Sequence, residues 1–251
     1  MGDLTPPILM DRGDGVHLAA RLRAGASVKP TLVFLPGYAS DMQGSKALAL
    51  DAWAAEQGYG LLRLDYSGCG ESQGRFAEGT LAQWRDDARY VIDHLAPGPL
   101  VLIGSSMGGW IALLLACALG HRVKGLIGIA AAPDFTSWGF TDSEKAEIVQ
   151  TGHLLRPSDY GPEPMLTTHA FWQSGQDLRL LETPILIDCP VRLLQGQMDP
   201  DVPWDLALRI SAQLRSADVQ LHFIKDGDHR LSRDADITLL TDVTARLMET
   251  L

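Results

Sequence analysis

Gly104-Ser105-Ser106-Met107-Gly108 lies between an apolar run at residues 100–103 and a second, helix-forming apolar run at residues 110–119. That order predicts a strand, a sharp turn and a helix, with Ser106 at the tip of the turn. The central residue of such an elbow takes a strained backbone angle, and side chains at Gly104 and Gly108 would collide with neighbouring elements. The turn lifts the Ser106 hydroxyl clear of the sheet and aims the start of the next helix at it. A helix start favours developing negative charge. Ser105 is the competing hydroxyl, but Ser106 alone is centred between the two glycines.

The rest of the chain keeps a strand–helix rhythm. Residues 16–23 alternate apolar and polar, as an antiparallel strand at an exposed sheet edge would. Buried-type strands are predicted at 31–35, 61–64, 100–103, 123–130, 191–195 and 219–224. Helices are predicted at 46–57, 80–95, 110–119, 204–214 and 235–251. Such alternation implies one α/β domain over residues 1–251, with a mostly parallel sheet covered on both faces. In sheets of this kind, chemistry collects in loops at the carboxyl ends of the strands. The elbow, the Pro36-Gly37-Tyr38 loop and the loop beginning at Gly196 all fall there.

Residues 133–190 break the rhythm and read as a small lid inserted after the strand that follows the elbow. Helices are expected at 141–150 and 168–178. Between them run two turns, Arg156-Pro157-Ser158 and Tyr160-Gly161-Pro162. Phe135, Trp138, Phe140, Leu154, Leu155, Met165, Phe171 and Trp172 make the segment apolar. Some of these should pack it onto the body, and others should line an apolar pocket over Ser106.

A serine hydroxyl is a poor nucleophile at neutral pH and needs a base, which needs an orienting carboxylate. His17, His94, His121 and His222 fall away from the expected face, while His153 and His169 sit in the lid. His229 follows the last strand in the polar loop Asp226-Gly227-Asp228-His229, where a base belongs. In Gly196-Gln197-Met198-Asp199-Pro200-Asp201-Val202 the spacing favours Asp199 as the acid, with Asp201 and then Asp228 as competitors. An oxyanion needs two backbone donors. Met107 follows the nucleophile, and Tyr38 lies in a loop that glycine allows close; their amides are the expected pair. The Tyr38 ring is expected either to wall the pocket or simply to pack. Gly68-Cys69-Gly70 lacks the further features of a nucleotide loop. No His/Cys/Asp group has metal-ligand spacing, so no metal or cofactor is expected.

The net charge is −10 with scattered arginines and lysines, which argues against a nucleic-acid partner. No run is long and apolar enough to span a bilayer, and residues 1–15 do not resemble a signal peptide. Cys69, Cys117 and Cys189 are odd in number and far apart, which fits reducing surroundings and a cytoplasmic protein. Cys117, on an apolar helix, is expected in the core.

With these residues in place, the chain resembles the α/β-hydrolase superfamily over nearly its whole length. The resemblance rests on Pro36-Gly37-Tyr38, Asp65-Tyr66-Ser67-Gly68-Cys69-Gly70-Glu71-Ser72, Gly104 to Gly109, Gly196 to Trp204, and Gly227-Asp228-His229-Arg230. Several segments, among them Phe34 to Tyr38, Gly104 to Trp110 and Cys189 to Leu193, are similar to those of palmitoyl-protein thioesterases that also hydrolyse acyl glucuronides. The resemblance implies an α/β-hydrolase fold and a cofactor-free serine hydrolase acting on acyl thioesters or carboxylic esters, small or protein-borne. It puts the nucleophile at Ser106, the acid at Asp199 and the base at His229. A general carboxylesterase is the alternative within enzymology. A non-catalytic ligand-binding protein is the alternative outside it, and such proteins usually lose a triad member or an elbow glycine.

Overall fold

The computed structural model describes residues 6–25, 28–158, 161 and 163–251. In chain order the main elements are β1 (Ile8–Asp11), β2 (His17–Arg23), β3 (Thr31–Leu35), α1 (Ser45–Gln57), β4 (Leu61–Leu64), α2 (Leu81–Leu95), β5 (Leu100–Ser105), α3 (Met107–Leu119) and β6 (Val123–Ile129). Then follow α4 (Phe135–Trp138), α5 (Asp142–Thr151), β7 (His153–Arg156), β8 (Met165–Thr168), α6 (His169–Asp177), β9 (Val191–Gly196), α7 (Leu206–Gln213), β10 (Val219–Ile224) and α8 (Asp234–Glu249).

Eight strands form one sheet in the order β1-β2-β4-β3-β5-β6-β9-β10. β2 runs antiparallel to both β1 and β4, and every pairing from β4 to β10 is parallel. The chain therefore has the α/β-hydrolase fold, with a mostly parallel sheet. Strand residues divide between two cores with the period of two that a pleated strand imposes. Val33, Leu35, Leu62, Leu64, Leu100 and Leu102 join the core on one face, under α2, α3 and α7. Leu32, Phe34, Leu61, Val101 and Ile103 join the other, under α1 and α8.

Helix starts are set by side chains as well as by burial. Thr80 caps α2 by accepting from the Gln83 amide at 3.1 Å. Thr141 and Glu144 form a reciprocal capping box on α5. Such caps satisfy amides that a first turn leaves without intrahelical partners.

Three expectations need correction. The sheet edge is β1 rather than β2, because Ile8 to Asp11 pair along β2 and cover it. Four residues beside Pro6 and Pro7 are too few for periodicity to announce a strand. The segment at 133–190 carries an antiparallel hairpin, β7 with β8, besides its helices. Of the turn expected between them, residues 160 and 162 lie outside the described residues. Cys117 is exposed, because an otherwise buried helix turns Cys117 and Ala118 outward near its end.

Phe140, Ile148 and Leu154 make a small core within the 133–190 segment, with Phe135 and Trp172 packed against it. Phe171 is buried and Leu155 is exposed. Most of these large apolar side chains therefore build the segment or join it to the body.

Candidate active site

The elbow forms as its glycines require. Ser106 has φ 55° and ψ −119°, between β5 and the first residue of α3. A Cβ on Gly104 would lie 2.2 Å from the Gly108 carbonyl oxygen, and one on Gly108 would lie 2.1 Å from that of Leu35. Both obstacles are backbone, so neither position tolerates a side chain without moving a strand or a helix. The Ser106 amide donates to Ile129 at 2.9 Å, and its carbonyl accepts from Gly109 and Ala132. The strained residue is thus held from β6, from α3 and from the chain that follows β6.

Ser106, His229 and Asp199 are brought into one hydrogen-bonded chain. His229 Nε2 lies 3.1 Å from Ser106 Oγ, and His229 Nδ1 lies 2.9 Å from Asp199 Oδ2. Among the described residues, no other histidine hydrogen-bonds Ser106. Each member stands in a loop at the carboxyl end of a strand: β5 for Ser106, β9 for Asp199 and β10 for His229. Residues 93 and 30 positions apart in sequence meet because β5, β6, β9 and β10 lie side by side and parallel.

The Asp199 side chain is completely buried. Its Oδ1 accepts from the amides of Asp201 and Val202, both at 2.9 Å, and Oδ2 also accepts from Gln195 Nε2 at 3.1 Å. A buried carboxylate with this many donors is satisfied in its hydrogen bonding and fixed in orientation. Asp201 is exposed, and Asp228 turns back to accept from the Leu231 amide at 2.9 Å. Of the three carboxylates considered, Asp199 is the buried one and stands 2.9 Å from His229 Nδ1.

The Pro36-Gly37-Tyr38 loop presses on the elbow. A Cβ on Gly37 would sit 3.2 Å from the Ser105 carbonyl oxygen and 3.4 Å from Ser106 Cβ. Among the described residues, the amides of Tyr38 and Met107 have no intramolecular acceptor. The Tyr38 ring packs against Phe171, Phe76 and Trp84, with centroids 4.7, 5.1 and 5.7 Å away. Its hydroxyl donates to the Leu166 carbonyl on β8. The packing role considered from sequence is what the ring performs, and it also ties the inserted hairpin to the body.

The histidines of the 133–190 segment lie apart: His153 is exposed on β7, and His169 stands beside Trp172. Burial pushes the Cys69 thiol up to about 12 and the Cys189 thiol up to about 11, so neither offers a thiolate near neutrality. Asp199, Asp201 and His229 present ligand atoms within 4.8 Å of one another. This grouping escapes a reading of sequence spacing because it forms only where two loops meet. Asp199 and His229 already bond each other, and that pairing occupies two of the three members.

The chain matches the family model for the alpha/beta hydrolase fold over residues 30–153. It is 39% identical over 235 residues to the human mitochondrial palmitoyl-protein thioesterase ABHD10, covering 92% of this chain and 76% of that protein. The structure of mouse ABHD10 is similar with a TM-score of 0.91 and 36% identity, covering 98% of this chain and 99% of that one. A putative hydrolase from Agrobacterium vitis S4 is similar with a TM-score of 0.90 and 42% identity, covering 96% and 97%. These likenesses correct the cytoplasmic expectation, since the curated ABHD10 relatives are named mitochondrial. Unpaired cysteines report reducing surroundings without naming a compartment. With the elbow, the sheet order and these relatives together, the chain belongs to the α/β-hydrolase family, is a hydrolytic enzyme, and has palmitoyl-protein thioesterases of the ABHD10 type among its relatives.

Proposed function

We propose that this hydrolase cleaves acyl thioesters and related carboxylic esters through an acyl-enzyme on Ser106. The observation that carries the reading is the chain Asp199–His229–Ser106 at 2.9 and 3.1 Å, ending on a strained elbow serine. His229 Nδ1–H donates to Asp199, which leaves Nε2 to accept the Ser106 proton as Oγ attacks the carbonyl carbon. The Tyr38 and Met107 amides receive the negative oxygen, aided by the start of α3. His229 then protonates the departing thiol or alcohol, activates a water, and returns the proton to Ser106 as the acid leaves. Asp199 stays ionised throughout and stabilises the imidazolium.

The substrate class follows from the ABHD10 likeness and from the apolar residues that the Tyr38 hydroxyl ties to its loop. Residues 133–190 act as the lid in this reading. β8 crosses the Tyr38 loop through the Leu166 carbonyl and brings the half-buried Met165 and Leu166 with it. These offer an apolar wall to an acyl chain. Each methylene buried there contributes up to about 0.8 kcal/mol, nearly fourfold in kcat/KM. A thiolate leaves more readily than an alkoxide and needs less protonation by His229.

A panel of acyl thioesters, ethyl esters and acyl glucuronides of increasing chain length tests this reading, alongside fluorophosphonate labelling of Ser106. Labelling is expected, with kcat/KM rising from acetyl to medium-chain thioesters and exceeding that of the matching ethyl esters. Best turnover on acetyl esters, with a steady decline as the chain lengthens, would replace this reading with a small-ester carboxylesterase.

A further inference from the structure

We propose that Lys46 is a positioning residue for His229: its ammonium holds the Arg230 carbonyl and thereby sets the base-bearing loop against Ser106. The inference rests on the reading of His229 as the general base. Lys46 Nζ donates to the Arg230 carbonyl oxygen across 184 positions of sequence. That carbonyl is one residue beyond His229, in a turn already constrained on both sides. The Asp228 carboxylate caps the Leu231 amide at 2.9 Å. Leu231 stands at φ 42° with its side chain buried in the core beneath α1 and α8. A β-branchless but bulky residue in that region is strained, and it persists only where its surroundings hold it.

The placement of Lys46 is adverse on its own terms. It is half-buried in the first turn of α1, which has no acidic residue there and no side-chain cap at its start. A cation at this end opposes the helix dipole. Burial, and then the positive charge of Arg230, push its pKa down to about 8 against the pull of Asp228 and Asp236. Asp236, in the first turn of α8, is itself paired with Arg233. The Arg230 carbonyl supplies the ammonium with an acceptor, and a charged donor bonds roughly twice as strongly as a neutral one. Lys46 therefore grips the loop most firmly while protonated and loosens as pH rises through about 8. Loss of that grip bears on the alkaline limb of the activity profile.

The test is the pH profile of kcat for an acyl thioester in wild type, Lys46→Met, Lys46→Arg and Asp228→Asn, with folding checked by circular dichroism. Wild-type kcat is expected to fall above about pH 8. Lys46→Met should lower neutral kcat about tenfold with KM unchanged and lack the alkaline fall. Lys46→Arg keeps a charge that does not titrate there, so it should restore most of kcat and hold it at high pH. Asp228→Asn retains an oxygen for the Leu231 amide but removes an anion that helps keep the Lys46 proton, so the alkaline midpoint should move to lower pH. Wild-type kcat in folded Lys46→Met, the same alkaline fall in Lys46→Arg, or an unmoved midpoint in Asp228→Asn would each overturn the proposal. His229→Ala separates the two readings: activity surviving there ends the triad assignment whatever Lys46 does.

Discussion

The body and the inserted segment at 133–190 are held in place by different physical means. In the body, the three hydrogen-bonded residues stand at the ends of parallel strands whose spacing is set by backbone pairing, and backbone atoms crowd the elbow from both sides. The insertion has a two-stranded hairpin, short helices and a core of three buried residues. It joins the body by packing Phe171, Leu181 and Ile185 into the main core, by backbone bonds of Ile185 with Gln213 and Arg215, and through single side chains. Asp134 ties the two ends of the insertion to each other by accepting the amides of Leu180 and Leu181 at 2.8 and 2.9 Å, while from the body Trp110 Nε1 donates to Leu178 and the Tyr38 hydroxyl donates to Leu166. A site built on strand ends is precise because many bonds would have to yield together. A segment that lies outside the eight-stranded sheet has fewer ladder bonds to fix it.

The comparison predicts that body variants abolish chemistry while insertion variants shift substrate preference. The largest effect belongs to the serine and the histidine. Ser106→Ala or His229→Ala should each lower kcat roughly 10⁴-fold or more, and the double variant should be scarcely worse, because such residues act as one unit. A tenth of wild-type turnover remaining in Ser106→Ala would defeat the assignment. Next comes Asp199→Asn, expected to cost roughly 10²- to 10⁴-fold in kcat by misplacing the His229 proton. The exposed Asp201 changed to Asn should cost little in the same assay, and the opposite ranking would move the acid.

Gly108→Ala probes the crowding instead of the chemistry. The new methyl meets the Leu35 and Pro36 carbonyls at 2.1 and 2.5 Å, and neither can rotate away. We expect destabilisation on the order of 3 kcal/mol and a fall in Tm of about 6 °C or more. A thermal scan showing an unchanged midpoint would mean that the elbow is looser than its contacts imply. The smallest effect on chemistry is expected from Asp134→Ala, which leaves the Leu180 and Leu181 amides without their acceptor. The cost is about 1–3 kcal/mol, felt mainly in how the insertion closes. KM for long-chain thioesters should rise several-fold while kcat for a short activated ester stays nearly constant. An equal loss on both substrates would erase the distinction between the two regions.

How much could be read from sequence follows the same division. The elbow, the order of its elements and the loops bearing Asp199 and His229 were legible, because each is marked by local chemistry: paired glycines, apolar runs of strand length, polar loops directly after them. β1 was not legible, since Ile8 to Asp11 become a strand only by pairing with β2. The hairpin of β7 and β8 was missed for a similar reason, its four-residue strands being too short to show a period. Nor could sequence say which apolar residues of the insertion face its own core, which reach the body, and which remain half-exposed.

The sequence by itself determined the fold family, the strained turn at Ser106 and a choice of three carboxylates and one favoured histidine, because these depend on local backbone preference and on burial period. Only the tertiary structure brought Asp199 against His229 and turned Asp228 back to the Leu231 amide, packed the Tyr38 ring beneath the hairpin, and set the Lys46 ammonium on the Arg230 carbonyl. Those outcomes depend on where distant loops meet. That is fixed by strand register and helix packing across the whole sheet, which no local window of residues contains.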